Sequence, residues 1–413
     1  MENLNIILFD GDTWRRLLPL TFTRPIADIR IGIMTIRQKW EHLFQAKTAS
    51  LTVEYLREKY PFAKGVHTEN LFINGSLLPT PALFHQIKYL QANQAIVDDG
   101  TVLAIRTSGK FPSVLQKTSG ELRLLVNQLE RIKPAEDYKK INHLWDIFEQ
   151  NDYWLRSDFQ TLTNGRKSQT ISDTNTLIAP ENIFVEEGAS VEGAFLNASK
   201  APIYVGKNAT IMEGSMVRNG LAMCENSVLK MGTKIYGATT LGPYTKVGGE
   251  LNNVVILGYT NKAHDGFLGN AVIGEWCNLG ANTNNSNLKN NYGKVKVWNY
   301  FEENFVNSER QFCGFFMGDH SKCGINTMLN TGTVIGVSAN IYGADFPPKF
   351  IPSFSWGNAK DLETYDLKKS LKTAEIVMAR RNQKLTDVDE RILRTIFEKT
   401  VFHREKTAEN LVH

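Results

Sequence analysis

At 413 residues, with 42% apolar and 22% charged side chains, the chain has a globular composition and more length than one core fills, so two or three domains are expected. Its 47 basic and 43 acidic residues leave a formal charge of only +4, which does not call for nucleic acid, and no apolar run approaches the roughly 18 residues that span a bilayer. The start, Met1 to Asp12, has no basic n-region, which gives the expectation of a cytoplasmic protein, and Cys224, Cys277, Cys313 and Cys323 lack C-x-x-C spacing and read as reduced, buried thiols.

In chain order, Leu4 to Phe9 reads as a buried strand bounded by Asp10-Gly11-Asp12. Ile33 to Phe44 has helical spacing, Leu71 to Asn74 and Thr101 to Arg106 read as short strands, and Pro81 to Asn93 reads as a helix. Strands alternating with helices predict an α/β layer domain, placed at residues 1–160. Arg15, Arg16, Arg24 and Arg30 cluster around the first strand-to-helix turn, where an anion would bind, beside Asp10 and Asp12. The alternative is that the arginines form structural ion pairs.

From Val205 onward every sixth residue is aliphatic or Met: Val205, Ile211, Val217, Met223, Leu229, Ile235, Leu241, Val247. Two places before the last seven sits a small or medium side chain, from Ala209 through Ser215 to Thr245, and Gly or Asn follows three places later at Asn208, Gly214, Gly220, Asn226 and Gly232. A period of six fits a short strand and a tight turn at positive φ, and repeated over eight units it excludes an ordinary β-sandwich. The same phase returns at Phe267, Ile273 and Leu279, and again from Met317 to Ile341. Gly249 to Asp265 and Ala281 to Phe316 interrupt it and read as surface loops at a binding face. The repeat predicts a parallel β-helix over 175–345, broken by Phe346-Pro347-Pro348 and followed by a helical extension over 346–413.

The segments NKAHDGFLGNAVIG (Asn261 to Gly274) and NLGANTNNSNLKNNYGKVKVW (Asn278 to Trp298) resemble the acetyltransferase domain of GlmU-type enzymes and of the archaeal-style sugar-1-phosphate nucleotidylyltransferase/acetyltransferases. FMGDHSKCGINTMLNTGTVIGVSANIYG (Phe316 to Gly343) is similar to their closing coils. DGDTWRRLLPLTFTRP (Asp10 to Pro25) more loosely resembles their phosphate-gripping signature, with the glycines reduced to Gly11, Ile26 in place of a lysine, and Ser76 where a metal-binding aspartate is usual.

The resemblance implies a left-handed β-helix, acetyl-CoA as acyl donor, and an amino-sugar phosphate and a nucleoside triphosphate as substrates, with Arg15, Arg16, Arg24 and Arg30 meeting the nucleotide phosphates and Asp10 or Asp12 holding Mg²⁺. It also implies a homotrimer with the coenzyme between adjacent β-helices. His264 is then the general base, because amide formation from a thioester needs a free amine and an imidazole can take the proton. Asn287 aligns with a substrate-contacting asparagine, and Phe267 stands where a tyrosine is usual. Lys262, Lys294 and Lys296 would meet sugar or coenzyme phosphates, and backbone N–H groups near Gly280 and Ala281 would hold the coenzyme and the oxyanion. Two competing readings carry less support: a β-helix scaffold or sugar-nucleotide sensor with an inert first domain, and a γ-type zinc carbonic anhydrase, for which His264 and His320 leave a third ligand missing.

Overall fold

The apolar run at the N-terminus forms a strand over Leu4–Phe9, and in the computed structural model, which describes residues 4–62, 69–108, 122 and 126–412, it lies second in a six-stranded sheet. The order across the sheet is Ala49–Leu51, Leu4–Phe9, Glu69–Asn74, Thr101–Ser108, Gln94–Asp98, Glu130–Ile132. The first three strands run parallel, and Thr101–Ser108 runs against both of its neighbours. Ile7, Phe9, Phe72 and Ile105 alternate onto one face and share a core.

A short helix spans Thr13–Arg16, and the helix predicted from Ile33 spans Ile36–Phe44, starting later because Thr35 and Gln38 close a reciprocal cap. The predicted 81–93 helix stops at Lys88, and Asn93 at φ +64° turns the chain into a strand whose short apolar content the sequence did not reveal. Together with the segments Met1–Leu17, Thr23–Ile29 and Met34–His143, this sheet makes one compact unit.

The second unit comprises Leu18–Phe22, Arg30–Ile33 and Leu144–His413. In it the six-residue phase becomes a parallel β-helix. Val205 pairs with Met223 and Met223 with Leu241, Ile211 with Leu229 and Leu229 with Val247, and Val217 with Ile235. Each partner is 18 residues on, which is three hexapeptides per coil. All eight aliphatic positions from Val205 to Val247 are at most 2% exposed and lie in one continuous core. The turns take the conformation that glycine and asparagine were expected to supply, with Asn208 at φ +54° and Gly232 at φ +70°.

Four expectations are corrected. Gly249 to Asp265 is not a surface loop: Glu250–Gly258 is a long strand parallel to Phe267–Glu275, and the coil is merely shortened, so Val247 pairs with Lys262. The coil from Val247 to Lys262 is 15 residues where those above are 18, which resets the phase so that Leu251 pairs with Leu268, and Leu268 rather than Phe267 points into the core. The second interruption begins later than Ala281, since Asn284–Asn285 still pairs with Met328–Leu329. Its excursion is an antiparallel hairpin of Lys296–Asn299 with Asn304–Asn307. Finally, the prolines near 347 do not end the repeat, because Phe350–Ile351 and Ser355–Gly357 add another coil.

Leu362–Thr364 then runs antiparallel to that last coil, and helices follow at Leu367–Ala379, Asp387–Lys399 and Val401–Val412. The architecture is thus an α/β domain, a parallel β-helix and a C-terminal helical extension. Among the described residues no helix is long and apolar enough to cross a membrane. All four cysteines are free and buried, and burial pushes their thiols up, Cys224 to about 11.

Candidate functional site

His264 stands in the turn that closes the shortened coil, exposed at the rim of a cavity of about 670 Å³. Gly280 and Ala281 from the next coil and Lys322 from the coil beyond line the same space. Its other wall is the end of the helix Leu367–Ala379, with Val377, Arg380 and Arg381. The helix is begun by Asp366, whose carboxylate accepts from the Lys369 N–H at 2.8 Å, and it packs through Leu371, Ala374 and Met378. The Arg381 guanidinium donates to Asn261 Oδ1 at 2.8 Å, which ties the extension to its own β-helix.

The lining carries four cations, Lys246, Lys322, Arg380 and Arg381, and no carboxylate. Desolvation lowers the pKa of the Lys246 ammonium, and Arg381, Lys230 and Arg380 lower it further by repulsion. Burial and Arg380 act on Arg381 in the same direction, and burial brings Lys322 down to about 8. Positive groups packed so that they repel one another form a receptor for an anion, whose binding relieves the cost. None of these four was singled out in the sequence. Arg380-Arg381 was visible as a basic pair, but nothing local showed that the tail would fold back to His264.

Of the residues predicted for this site, the structure brings together His264, Gly280 and Ala281. The Gly280 N–H is already committed to Cys323 O at 2.9 Å, so of these two backbone donors the Ala281 N–H is the one left for a ligand. Lys262 is not a ligand-facing lysine. It is fully buried at the core position paired with Val247, and its ammonium donates to the carbonyls of His264, Asp265 (2.7 Å) and Gly248 (3.4 Å). Asn287 donates to Asn270 Oδ1 at 2.8 Å, Lys294 is paired with Glu309, and Lys296 lies on the inserted hairpin; none of the three lines the cavity.

In the first unit a smaller cavity of about 190 Å³ opens beside the first strand, lined by Gly11, Asp12, Thr13, Arg16, Asn74, Lys140 and Asn142. Of the predicted residues, Asp12 and Arg16 line it. Arg15 is exposed outside the lining, Arg24 is buried, and Arg30 belongs to the second unit, where its guanidinium donates to Ile33 O. Lys140 is an addition that no motif marked.

Asp10 does not fit a metal site. Its Oδ1 accepts from the Ile26 N–H at 2.9 Å and its Oδ2 from the Thr52 hydroxyl at 2.5 Å, while burial raises its pKa to about 7. Asp12 is the sole carboxylate in the lining. Ser76 is buried and donates to Asn74 Oδ1 at 2.8 Å. No group of three or more His, Cys, Asp or Glu is gathered for a metal among the described residues.

Known proteins resemble parts of this chain. Residues 6–167 match the family model described as sugar nucleotidyl transferase. The chain is 26% identical over 203 residues to a bifunctional sugar-1-phosphate nucleotidylyltransferase/acetyltransferase of Sulfurisphaera tokodaii, covering 49% of this chain and 48% of that protein. It is 26% identical over 212 residues to the bifunctional protein GlmU of Methanococcus vannielii, covering 50% and 43%, and 35% identical over 100 residues to that of Methanocaldococcus jannaschii, covering 24% of each. The chain is thus similar to GlmU-type proteins, at low identity, and spans about half the length of the first two of these relatives. A UDP-N-acetylglucosamine acyltransferase structure from Campylobacter jejuni is 15% identical and covers 55% of this chain and 96% of its own; its TM-score is 0.26, and the β-helix rests on the strand registers above.

Proposed function

We propose that the β-helix unit transfers the acetyl group of acetyl-CoA to the amine of an amino-sugar 1-phosphate, glucosamine-1-phosphate before others. The first unit would transfer a nucleotidyl group to the sugar 1-phosphate, giving a UDP- or dTDP-sugar on the route to UDP-N-acetylglucosamine. One observation carries the acetyl-transfer reading: an exposed imidazole, an open backbone donor at Ala281 and four cations without a carboxylate share one cavity, and Lys246, Arg380 and Arg381 among them repel one another. Coenzyme A offers that cavity a pyrophosphate and a ribose phosphate beside a thioester.

In the proposed step His264, as neutral imidazole, removes a proton from the substrate ammonium. The freed amine attacks the thioester carbon, the Ala281 N–H receives the developing oxyanion, the C–N bond forms, and the C–S bond breaks as the thiolate takes the remaining proton. The cavity is open on one side, and a closed trimer would place a second copy's surface there, with Asn287, Lys294 and Lys296 as candidates for the acceptor side. Release of thiol from acetyl-CoA with glucosamine-1-phosphate tests this: His264→Ala is expected to lose at least ~10²-fold in turnover. Equal turnover in both proteins would remove His264 from the mechanism.

A second reading of the first unit has its own support. Asp10 is sealed and fully bonded, and Ser76 stands where the family's aspartate is expected. On that reading the unit binds a nucleotide or sugar phosphate at Arg16 and Lys140 without turning it over. Binding of UTP by titration calorimetry with no pyrophosphate released would favour it, and pyrophosphate release dependent on sugar 1-phosphate would exclude it.

A further inference from the structure

Several coils close one turn with a threonine hydroxyl, while Gly249 and Gly266 take its place in two successive coils. Thr233 donates to Lys230 O at 2.6 Å, Thr283 to Gly280 O at 2.8 Å and Thr327 to Gly324 O at 3.0 Å, each hydroxyl bonding the carbonyl three residues earlier. The turn that carries His264 has no such hydroxyl. Gly266 occupies the equivalent place, at φ +120°, and a Cβ there would sit 2.2 Å from Thr283 O, so no threonine can fill it.

The turn is held from inside instead. The carbonyls of Asp265 and Gly266 accept from Asn282 N–H (2.8 Å) and Glu250 N–H (3.1 Å) of the adjacent coils. The His264 carbonyl accepts, among the described groups, from the Lys262 ammonium, which also reaches Asp265 O. Lys262 sits where the core column otherwise places Val247 and other aliphatic side chains, fully shielded from water. A charge in that place is costly, and desolvation pushes its pKa down to about 8. A Met or Leu would pack there without that cost, so stability alone does not account for the lysine.

We propose that Lys262 is a positioning residue for His264: its ammonium, anchored inside the coil, fixes the His264 carbonyl and so sets where the imidazole stands at the rim of the cavity. The role rests on the general-base reading of His264. Lys262 touches no reacting atom; it acts through the backbone.

Lys262→Met, which keeps the side-chain length and removes the ammonium, separates positioning from stabilisation. Amide hydrogen exchange over residues 263–266 is expected to accelerate about tenfold or more, as the turn loses the ammonium's hydrogen bonds to the His264 and Asp265 carbonyls, while the thermal midpoint does not fall. Thiol release from acetyl-CoA with glucosamine-1-phosphate should show kcat down about tenfold or more with the KM for acetyl-CoA unchanged, and no further loss when the change is added to His264→Ala.

Unchanged exchange in the turn overturns the proposal, as does faster exchange with undiminished kcat, or a lowered midpoint with faster exchange throughout the coils. Full activity of His264→Ala would instead overturn the general-base reading. If the wild type does not turn over this substrate pair, the exchange result decides alone whether Lys262 orders the turn.

Discussion

Asp10 ends the first strand with a carboxylate that water does not reach, and its behaviour with pH follows from that. Both its hydrogen bonds favour the ionised form, yet desolvation outweighs them and lifts the group from 3.8 to about 7. Below about 3.8 the carboxyl is protonated whether the chain is folded or unfolded. Between there and about 7 the folded state holds a proton that the unfolded state has released, so stability falls as pH rises and levels off above about 7. Asp10→Asn removes this dependence. Thermal midpoints should show the variant gaining on wild type as pH rises from 4 to 7, by a few kcal/mol at most. A constant difference across that range would mean that Asp10 stays ionised in the fold.

At the same scale lies the limit of what single residues disclose. In the sequence Lys262 reads as a phosphate-meeting lysine and Lys322 carries no mark at all. The coil register turns the first inward, while the second reaches His320 O at 2.7 Å from the wall of the cavity.

Among the elements, a column of aromatic side chains marks one corner of the β-helix. Tyr244, Tyr259, Trp276 and His320 all have positive φ, +57°, +52°, +61° and +61°, and stack coil upon coil with ring centroids 5.2, 4.2 and 6.3 Å apart. Such a conformation is uncommon for bulky residues, and face-on packing along the axis helps to sustain it. Tyr259 also lines the His264 cavity, so the corner and the cavity share a wall.

The helix Leu367–Ala379 closes the opposite wall and delivers two arginines. Exchanging both, Arg380→Ala with Arg381→Ala, should weaken acetyl-CoA binding about tenfold or more at low ionic strength. The loss should shrink as salt is raised, since screening already reduces the attraction. Calorimetric titration at two salt concentrations measures this, and an unchanged affinity at low salt would take the phosphate-gripping role away from the helix. Of these elements the repeat was legible to the residue, because an interior that recurs every six positions writes itself into the chain. The shortened coil was not: a coil three residues short looks the same in sequence as the start of a loop.

For the whole molecule, the proposed trimer and the proposed ligand make linked expectations. Sedimentation equilibrium should give three times the chain mass, and a monomer at micromolar concentration would leave the open side of the cavity uncovered. Acetyl-CoA at ~100 times its dissociation constant should stabilise the protein by about 2.7 kcal/mol, seen as a raised midpoint, if it binds the folded state alone. No shift would argue against the cavity as its site.

The sequence alone determined the β-helix, its inward side chains and the nature of its turns, because these depend on spacing that repeats and on the backbone freedom of Gly and Asn. It also carried His264, Gly280 and Ala281, which stay close because adjacent coils stack. Tertiary structure decided the rest. Which lysine is a buried strut depends on a phase shift of one coil. Asp10 turns inward because Ile26 and Thr52 receive it from 16 and 42 residues away. Arg380 and Arg381 reach the cavity because the tail packs its apolar face back onto the coils. Contacts across such separations are fixed by packing, and local pattern holds no record of them.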